Sequence, residues 1–217
     1  MDAKICGVKN PKTLSYIINH KYPPKFIGFI ANYPKSKRFL EFEDLKRLVD
    51  TNKKNINFVC VLVDPDDLIL EKIKELKFDY LQLYKVSAEK TKIIKENLNI
   101  KIITAITIEN INDVLSYKEY EKISDIILFD SKGYEKSLGF NHSYIKNLNC
   151  PIKKMLAGNI KYDEKLDKFR KITDIIDLSG SLETAGKKDF KKINIFLKNI
   201  KKLNDKNNKK NPINRST

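Results

Sequence analysis

A cysteine and an aspartate occupy positions in this chain where acid–base chemistry could be carried out. The chain begins MDAKICGVKN, and Cys6 ends its first apolar run directly before Gly7. Asp130 directly follows a later apolar run, IILF. A thiol acts as a base only after losing its proton, and a carboxyl group acts as an acid where burial raises its pKa. Simpler explanations exist for both, since Cys6 could pack as a small core side chain and Asp130 could cap a helix.

The rest of the chain alternates between two patterns that would position these residues. Short runs rich in Ile, Val, Leu and Phe predict buried strands, and longer stretches with apolar residues three and four apart predict amphipathic helices. The strands are expected at 3–6, 26–30, 57–63, 79–83, 101–106, 126–130, 152–157 and 175–179. The helices are expected near 11–20, 41–51, 66–76, 87–98, 110–122, 141–148, 163–171 and 187–203.

Eight strand-then-helix units predict an α/β fold, a single-domain (β/α)₈ TIM barrel of eight parallel strands over residues 1–200. The alternative is an open doubly wound sheet, which would usually carry a glycine-rich phosphate loop after its first strand. The first loop here reads CGVKNPKT, with one glycine, and matches neither GxGxxG nor a P-loop. The carboxyl ends of barrel strands meet at one mouth, so we expect Cys6 and Asp130 to face it together.

The composition limits the possible classes of protein. Hydrophobic residues make up 41% of the chain and charged residues 33%. No apolar run reaches the roughly 18 residues that span a bilayer, and no signal-peptide-like stretch begins the chain, so we expect a cytoplasmic protein without a membrane partner. The three cysteines lie far apart in sequence without CxxC spacing, and there are only two histidines. The sequence therefore predicts neither a disulfide scaffold nor a metal site.

The net charge of +15 raises the possibility of nucleic-acid binding. However, the lysines are scattered among Glu and Asp in helix-like segments such as LEKIKELKFD, and no nucleic-acid motif accompanies them. The tail, residues 201–217, holds six basic residues and one acidic residue. We interpret it as a segment without apolar periodicity and expect it to be disordered. No specific nucleic-acid partner is therefore expected.

An ordered set of short motifs at the strand ends resembles one enzyme family. The motifs are KICG at the first strand, LQL at the fourth, FDS at the sixth, LAG at the seventh, and DLSGSLET with GKKD at the eighth. Running in order from residue 4 to about residue 195, they resemble phosphoribosylanthranilate isomerase, a (β/α)₈ barrel enzyme of tryptophan biosynthesis. The resemblance implies an Amadori rearrangement of N-(5-phosphoribosyl)anthranilate to 1-(2-carboxyphenylamino)-1-deoxyribulose 5-phosphate, without a metal or organic cofactor.

The resemblance also implies that Cys6 is the general base and Asp130 the general acid. In this chemistry an acid protonates the furanose ring oxygen, so that the ring opens to an iminium. A base then removes the proton from the sugar C2, and a thiolate can do this because the iminium makes that proton acidic. Lys4 lies two residues before Cys6, so both side chains could point to the same side of the strand.

The two anions of such a substrate need separate partners. A barrel offers the loops after strands seven and eight to a phosphate, and here those loops contain Gly158, Asn159, Ser179, Gly180 and Ser181. The family uses the arginine of a Ser-Pro-Arg loop for the carboxylate, which makes Arg38 the candidate here, in Ser36-Lys37-Arg38. The further substrate-binding candidates are Gln82, Tyr84 against the anthranilate ring, and Asp177 near the sugar.

Several loops depart from the family pattern and keep other functions open. Lys37 replaces a proline, Tyr84-Lys85 replaces the histidine and glycine of LQLHG, and the glycine-rich motif after Asp130 is reduced to KSLG at 136–139. A second candidate function is therefore a barrel that binds a sugar phosphate or an anthranilate-like ligand without turnover. A third is electrostatic RNA binding through 201–217 and the lysine-rich helices, which moderate salt or removal of 201–217 would abolish. The expected partner is a small-molecule substrate, bound by a monomer or homodimer.

Overall fold

Eight parallel strands close into a barrel in a computed structural model of the chain, which describes residues 1–132 and 139–210. The strands are β1 (Asp2–Cys6), β2 (Phe26–Ile30), β3 (Asn57–Val63), β4 (Tyr80–Tyr84), β5 (Lys101–Ile108), β6 (Ile126–Ser131), β7 (Lys153–Leu156) and β8 (Ile175–Leu178). They pair in chain order, and β8 closes the ring against β1 with Asp177 beside Lys4. The predicted (β/α)₈ fold is confirmed. A short antiparallel hairpin follows, formed by β9 (Glu183–Thr184) and β10 (Lys187–Lys188).

Helices cover the outside of this barrel. They are α1 (Pro11–Ile18), α2 (Phe42–Val49), α3 (Asp67–Lys74), α4 (Ala88–Leu98), α5 (Tyr117–Tyr120) and α6 (Phe190–Lys210). Three of these helices have N-cap residues. The side chains of Asn10, Asp66 and Ser87 each accept a hydrogen bond from a backbone N–H of the first turn. None of the described helices is both long and apolar enough to cross a bilayer.

Three of the predicted helices are shorter than expected. The segments near 141–148 and 163–171 contain only 3₁₀ turns, His142–Ile145 and Leu166–Phe169, and the segment near 110–122 begins with a 3₁₀ turn before α5. In the second of these, Leu166, Phe169 and Ile172 are all buried. Their spacing of three residues matches the period of a 3₁₀ helix, whereas a long amphipathic α-helix needs a mixture of threes and fours.

The apolar core lies in two places. One part packs between the sheet and the helices, and the other fills the inside of the barrel with Phe26, Val59, Ile103, Ala105, Ile126, Leu128, Met155, Ala157 and Ile175. Alternate residues of a strand point to the same side, so most strands contribute to both parts, whereas β1 adds none of the apolar residues inside the barrel. Toward the carboxyl ends of the strands the inward positions become polar, at Lys4, Gln82, Asp130 and Asp177.

The last helix continues into the segment that we expected to be disordered. Because α6 extends to Lys210, that expectation is wrong for residues 201–210, while residues 211–217 lie outside the described residues. Arg170 Nη2 donates a 2.6 Å hydrogen bond to the Leu203 carbonyl, and the Met1 amino group donates one of 3.0 Å to Asn204. An apolar stripe also holds the helix to the barrel, formed by Ile193, Phe196, Leu197, Ile200 and Leu203.

Leu203→Ala tests this extension of the packed helix. Leu203 is 2% exposed, and its truncation should lower the free energy of unfolding by about 2–4 kcal/mol. Lys202→Ala changes an exposed neighbour and should alter that free energy by less than about 0.5 kcal/mol. Urea unfolding followed by circular dichroism measures both variants. Equally small effects would show that the chain does not pack against the barrel beyond residue 200.

Candidate active site

The carboxyl ends of the strands surround a cavity of about 1070 Å³. Its lining includes all eleven predicted site residues, which are Cys6, Arg38, Gln82, Tyr84, Asp130, Gly158, Asn159, Asp177, Ser179, Gly180 and Ser181. A second cavity of about 600 Å³ opens near the amino-terminal ends, beside Met1 and Asp2. None of the predicted site residues lines that second cavity, so the mouth at the carboxyl ends is the candidate active site.

Strand β1 places an ammonium group beside the Cys6 thiol. Lys4 and Cys6 both point into the barrel, and Lys4 Nζ donates a 2.7 Å hydrogen bond to Asp177 Oδ2 on β8. This ion pair is buried, with side chains 0% and 6% exposed. Gly28 on β2 makes the arrangement possible, because a Cβ atom there would lie 2.8 Å from Cys6 Sγ and 3.2 Å from Lys4 Nζ.

Burial and the charge of Lys4 act on the pKa of the Cys6 thiol in opposite directions. Burial raises the pKa of the Cys6 thiol and is the largest effect, while the positive charge of Lys4 lowers it. Burial alone would lower the pKa of Lys4, but the attraction of Asp177 and Cys6 outweighs it and raises that pKa. Lys4 therefore stays charged inside the barrel and is the cation that stabilises a Cys6 thiolate.

Asp130 is held at both of its carboxyl oxygens. Tyr84 Oη donates a 2.8 Å hydrogen bond to Oδ2, and the backbone N–H of Ser131 donates one of 2.8 Å to Oδ1. Burial raises the pKa of Asp130 to about 6, against the lowering effect of the Tyr84 and Ser131 hydrogen bonds. Part of the Asp130 population is therefore protonated near neutral pH, which suits a proton donor.

Arg38 lies at the mouth, bound to a carboxylate of the protein itself. Its Nε and Nη2 donate hydrogen bonds of 2.6 and 2.7 Å to the two oxygens of Glu183. Lys188 Nζ, on β10 opposite Glu183, donates to the same carboxylate at 2.7 Å and to the Ser179 carbonyl at 3.1 Å. Burial would raise the pKa of Glu183, but these cations outweigh it and lower that pKa. Binding of a substrate carboxylate by Arg38 stays a prediction.

The loops after β7 and β8 pack tightly at the mouth. Gly158 has a φ of +86°, and a Cβ atom there would lie 2.6 Å from Ser131 Oγ, so the loop requires glycine at this position. Ser179 Oγ donates a 3.1 Å hydrogen bond to the Cys6 carbonyl, which joins the loop after β8 to β1. Of the KSLG segment, 136–138 lie outside the described residues, and Gly139 lies beside Asn159.

Sequence reasoning missed several residues that shape this site. For Lys4 there was a signal, since strand periodicity already placed it on the Cys6 side, but its pairing with Asp177 spans 173 residues. Gly28 carried no signal, because a glycine inside a strand does not show which side chain needs its space. Glu183 and Lys188 lie within the quoted motifs, yet only the hairpin shows that both contact the carboxylate-binding candidate Arg38.

Gly28→Ala tests the crowding around the thiol. The new Cβ would lie too close to Cys6 Sγ, so the substitution should lower the free energy of unfolding by about 1–3 kcal/mol. In a Cys6→Ala background the sulfur is absent, and the cost should fall by at least about 0.5 kcal/mol. Urea unfolding of the wild type, both single variants and the double variant measures the difference. An equal cost in both backgrounds would contradict this contact.

Comparisons with known proteins agree on one family. A family model described as N-(5'phosphoribosyl)anthranilate (PRA) isomerase matches residues 3–199. The curated N-(5'-phosphoribosyl)anthranilate isomerase of Agrobacterium fabrum is 30% identical over 206 residues, covering 90% of this chain and 92% of the relative. That of Brucella canis is 30% identical over 215 residues, covering 94% of this chain and 96% of the relative.

Solved structures show the same relationship. The phosphoribosyl anthranilate isomerase of Thermotoga maritima is similar with a TM-score of 0.82 and 26% identity, covering 94% of this chain and 100% of that one. A phosphoribosyl anthranilate isomerase in complex with reduced 1-(o-carboxyphenylamino)-1-deoxyribulose 5-phosphate gives 0.80 and 25%, with the same coverage. With a family model that matches nearly the whole barrel, this chain belongs to the N-(5'-phosphoribosyl)anthranilate isomerase family.

Proposed function

We propose that this chain catalyses the isomerisation of N-(5-phosphoribosyl)anthranilate, with Cys6 as general base and Asp130 as general acid. The observation that carries the assignment is their placement at one mouth, where burial, and after it the charge of Asp177, raises the pKa of both groups. A buried carboxyl whose raised pKa leaves part of its population protonated and a thiol beside a buried ammonium are the two groups that this rearrangement needs.

In the first step Asp130 gives its proton to the furanose ring oxygen. The bond between that oxygen and the sugar C1 breaks, and the lone pair of the anilino nitrogen forms the C1=N iminium. Asp130 is left as a carboxylate, which the Tyr84 hydroxyl and the Ser131 N–H stabilise by their hydrogen bonds. The Ser131 N–H already donates to Oδ1 before the charge develops, so this donor does not have to reorganise around it.

In the second step the Cys6 thiolate takes the proton from the sugar C2. The electron pair of that C–H bond forms a C1=C2 double bond, and the iminium nitrogen becomes a neutral amine. Protonation at C1 and loss of the 2-hydroxyl proton then give the ketose, with no net gain or loss of atoms. Lys4 balances the negative charge of the thiolate before this transfer, and Asp177 holds Lys4 in position.

The substrate anions have candidate partners on either side of these groups. We assign the phosphate to the loops that contain Gly158, Asn159, Ser179, Gly180 and Ser181, whose backbone can approach it closely. We assign the anthranilate carboxylate to Arg38. Glu183 accepts hydrogen bonds from two of the nitrogens of this guanidinium, which fixes its orientation and leaves further N–H donors for a ligand.

We also propose that the enzyme acts in the cytoplasm. Cys6, Cys60 and Cys150 are all free thiols. Free cysteines are typical of a reducing compartment, whereas proteins of oxidising compartments commonly pair them.

Cys6→Ala and Asp130→Asn test the acid–base assignment. Each should lower kcat/KM for freshly generated substrate by about 10² or more, because each removes a proton-transfer group. The loss of anthranilate-type fluorescence measures turnover, and Cys150→Ala, a half-buried thiol outside the cavity, should keep wild-type activity. A wild type that binds the reduced product analogue without turnover would instead make this barrel a binding module.

The pH profile tests the same pair. The reactive form carries one proton, on Asp130, with Cys6 as thiolate. kcat/KM should therefore be flat between two limbs. It should fall below about pH 6, where Cys6 and Asp130 both carry a proton, and fall again at alkaline pH, above the raised pKa of Cys6, where neither does. The phosphate monoester of the substrate also titrates near pH 6 and could produce the same acid limb. NMR titration of the Asp130 carboxyl carbon shows which of the two groups is responsible. Titration of Asp130 near pH 4 would contradict the assignment.

A further inference from the structure

A chain of hydrogen bonds leads from β4 to the Asp130 carboxyl. Gln82 Nε2 donates to Tyr84 Oη at 3.2 Å, and Tyr84 Oη donates to Asp130 Oδ2 at 2.8 Å. Both donors point into the barrel from alternate positions of β4. Ala105 pairs with Tyr84 in the register of β5, and its small side chain leaves space for the Tyr84 ring to reach β6.

Gln82, at the far end of this series of hydrogen bonds, has a buried polar atom without a hydrogen-bond partner among the described residues. Gln82 is 1% exposed, and its Oε1 accepts no hydrogen bond from any of the described residues. A buried amide oxygen without a partner is costly, and such atoms are rare unless they have a function. This acceptor lies on the same amide that donates to Tyr84.

We propose that Gln82 and Tyr84 are positioning residues that hold the Asp130 carboxyl in both of its protonation states, and that they act on the substrate through Asp130. This inference rests on the proposed function, in which Asp130 gives and regains a proton. The contact of Tyr84 with the anthranilate ring stays a prediction beside it.

The Gln82 amide has a donor and an acceptor, which explains how one series of hydrogen bonds can hold Asp130 in both of its protonation states. With Asp130 ionised, Oδ2 accepts from Tyr84 and Tyr84 accepts from Gln82 Nε2. With Asp130 protonated at Oδ2, the direction reverses once the amide rotates, so that Oδ2–H donates to Tyr84 and Tyr84 donates to Gln82 Oε1. Oδ1 accepts from the Ser131 N–H throughout, which leaves Oδ2 as the oxygen that carries the proton.

Tyr84→Phe separates this role from a role in stacking. The variant keeps the ring and removes only the hydroxyl that stabilises the Asp130 carboxylate. The Asp130 NMR titration and the acid limb of kcat/KM should both move to higher pH, by roughly half to one pH unit. The Kd for reduced 1-(o-carboxyphenylamino)-1-deoxyribulose 5-phosphate should stay within about twofold, since the ring surface is retained. The substrate phosphate is the same in every variant, so a moving limb belongs to the enzyme.

Tyr80→Phe is the matched control, because it removes a hydroxyl from another inward tyrosine of the same strand, packed against Phe26. It should leave the acid limb unchanged. Gln82→Met should move the limb in the same direction as Tyr84→Phe but less far. Since Gln82 acts through the Tyr84 hydroxyl, the double variant should move no further than Tyr84→Phe alone.

The outcomes distinguish this inference from the proposed function. If Asp130→Asn keeps its activity, Asp130 is not the acid and the proposed function fails with it. If Asp130→Asn is inactive but Tyr84→Phe leaves both the limb and the NMR titration in place, only the positioning role is overturned. Weaker binding of the product analogue by Tyr84→Phe, with an unmoved limb, would show that the hydroxyl contacts the ligand directly.

Discussion

The ion pair between Lys4 and Asp177 is the interaction on which the site depends. It lies inside the barrel where β8 meets β1, so the contact that completes the closed sheet also places a positive charge among acidic groups. Its neighbours include the Cys6 thiol, and the charges of Lys4 and Asp177 both act on Asp130. One ammonium therefore sets the charge balance of the whole cluster, because burial amplifies every interaction with it. Gly28 provides the space without which the lysine and the thiol could not lie side by side.

The chemistry and the binding of the substrate are divided between two kinds of structure. Cys6 and Asp130 lie on strands, whose positions the closed barrel holds rigidly. The hydrogen-bond partners of Asp130 come from β6 itself and from β4, whose Tyr84 reaches past β5 inside the barrel. The residues assigned to the two substrate anions lie on loops. Those loops are joined to each other, because Glu183 after β8 binds Arg38 after β2 and Lys188 links the same carboxylate to Ser179. The departure from the family pattern at Lys37 falls in a loop, where a barrel tolerates change.

Tyr84 is a departure of a different kind, because it lies on a strand and contacts the acid itself. A tyrosine in this position provides a hydroxyl that can both donate and accept a hydrogen bond. Gln82, two residues earlier and on the same inward side, then acts as the next partner. The strand thus places Tyr84 and Gln82 in series with the Asp130 carboxyl.

The sequence by itself determined the barrel fold and which residues line the mouth of the barrel. Strand periodicity and chain order are local signals that predicted the barrel mouth, and the family resemblance of the strand-end motifs selected its residues; all eleven line one cavity. Local periodicity was less decisive elsewhere. The buried residues around Leu166–Phe169 are three apart and form a 3₁₀ turn, and α6 continues through residues expected to be disordered. Only the tertiary structure decided that Lys4 pairs with Asp177, that Glu183 holds Arg38, and that Tyr84 holds Asp130. These contacts span 173, 145 and 46 residues, and no local pattern records which buried charges share one small space.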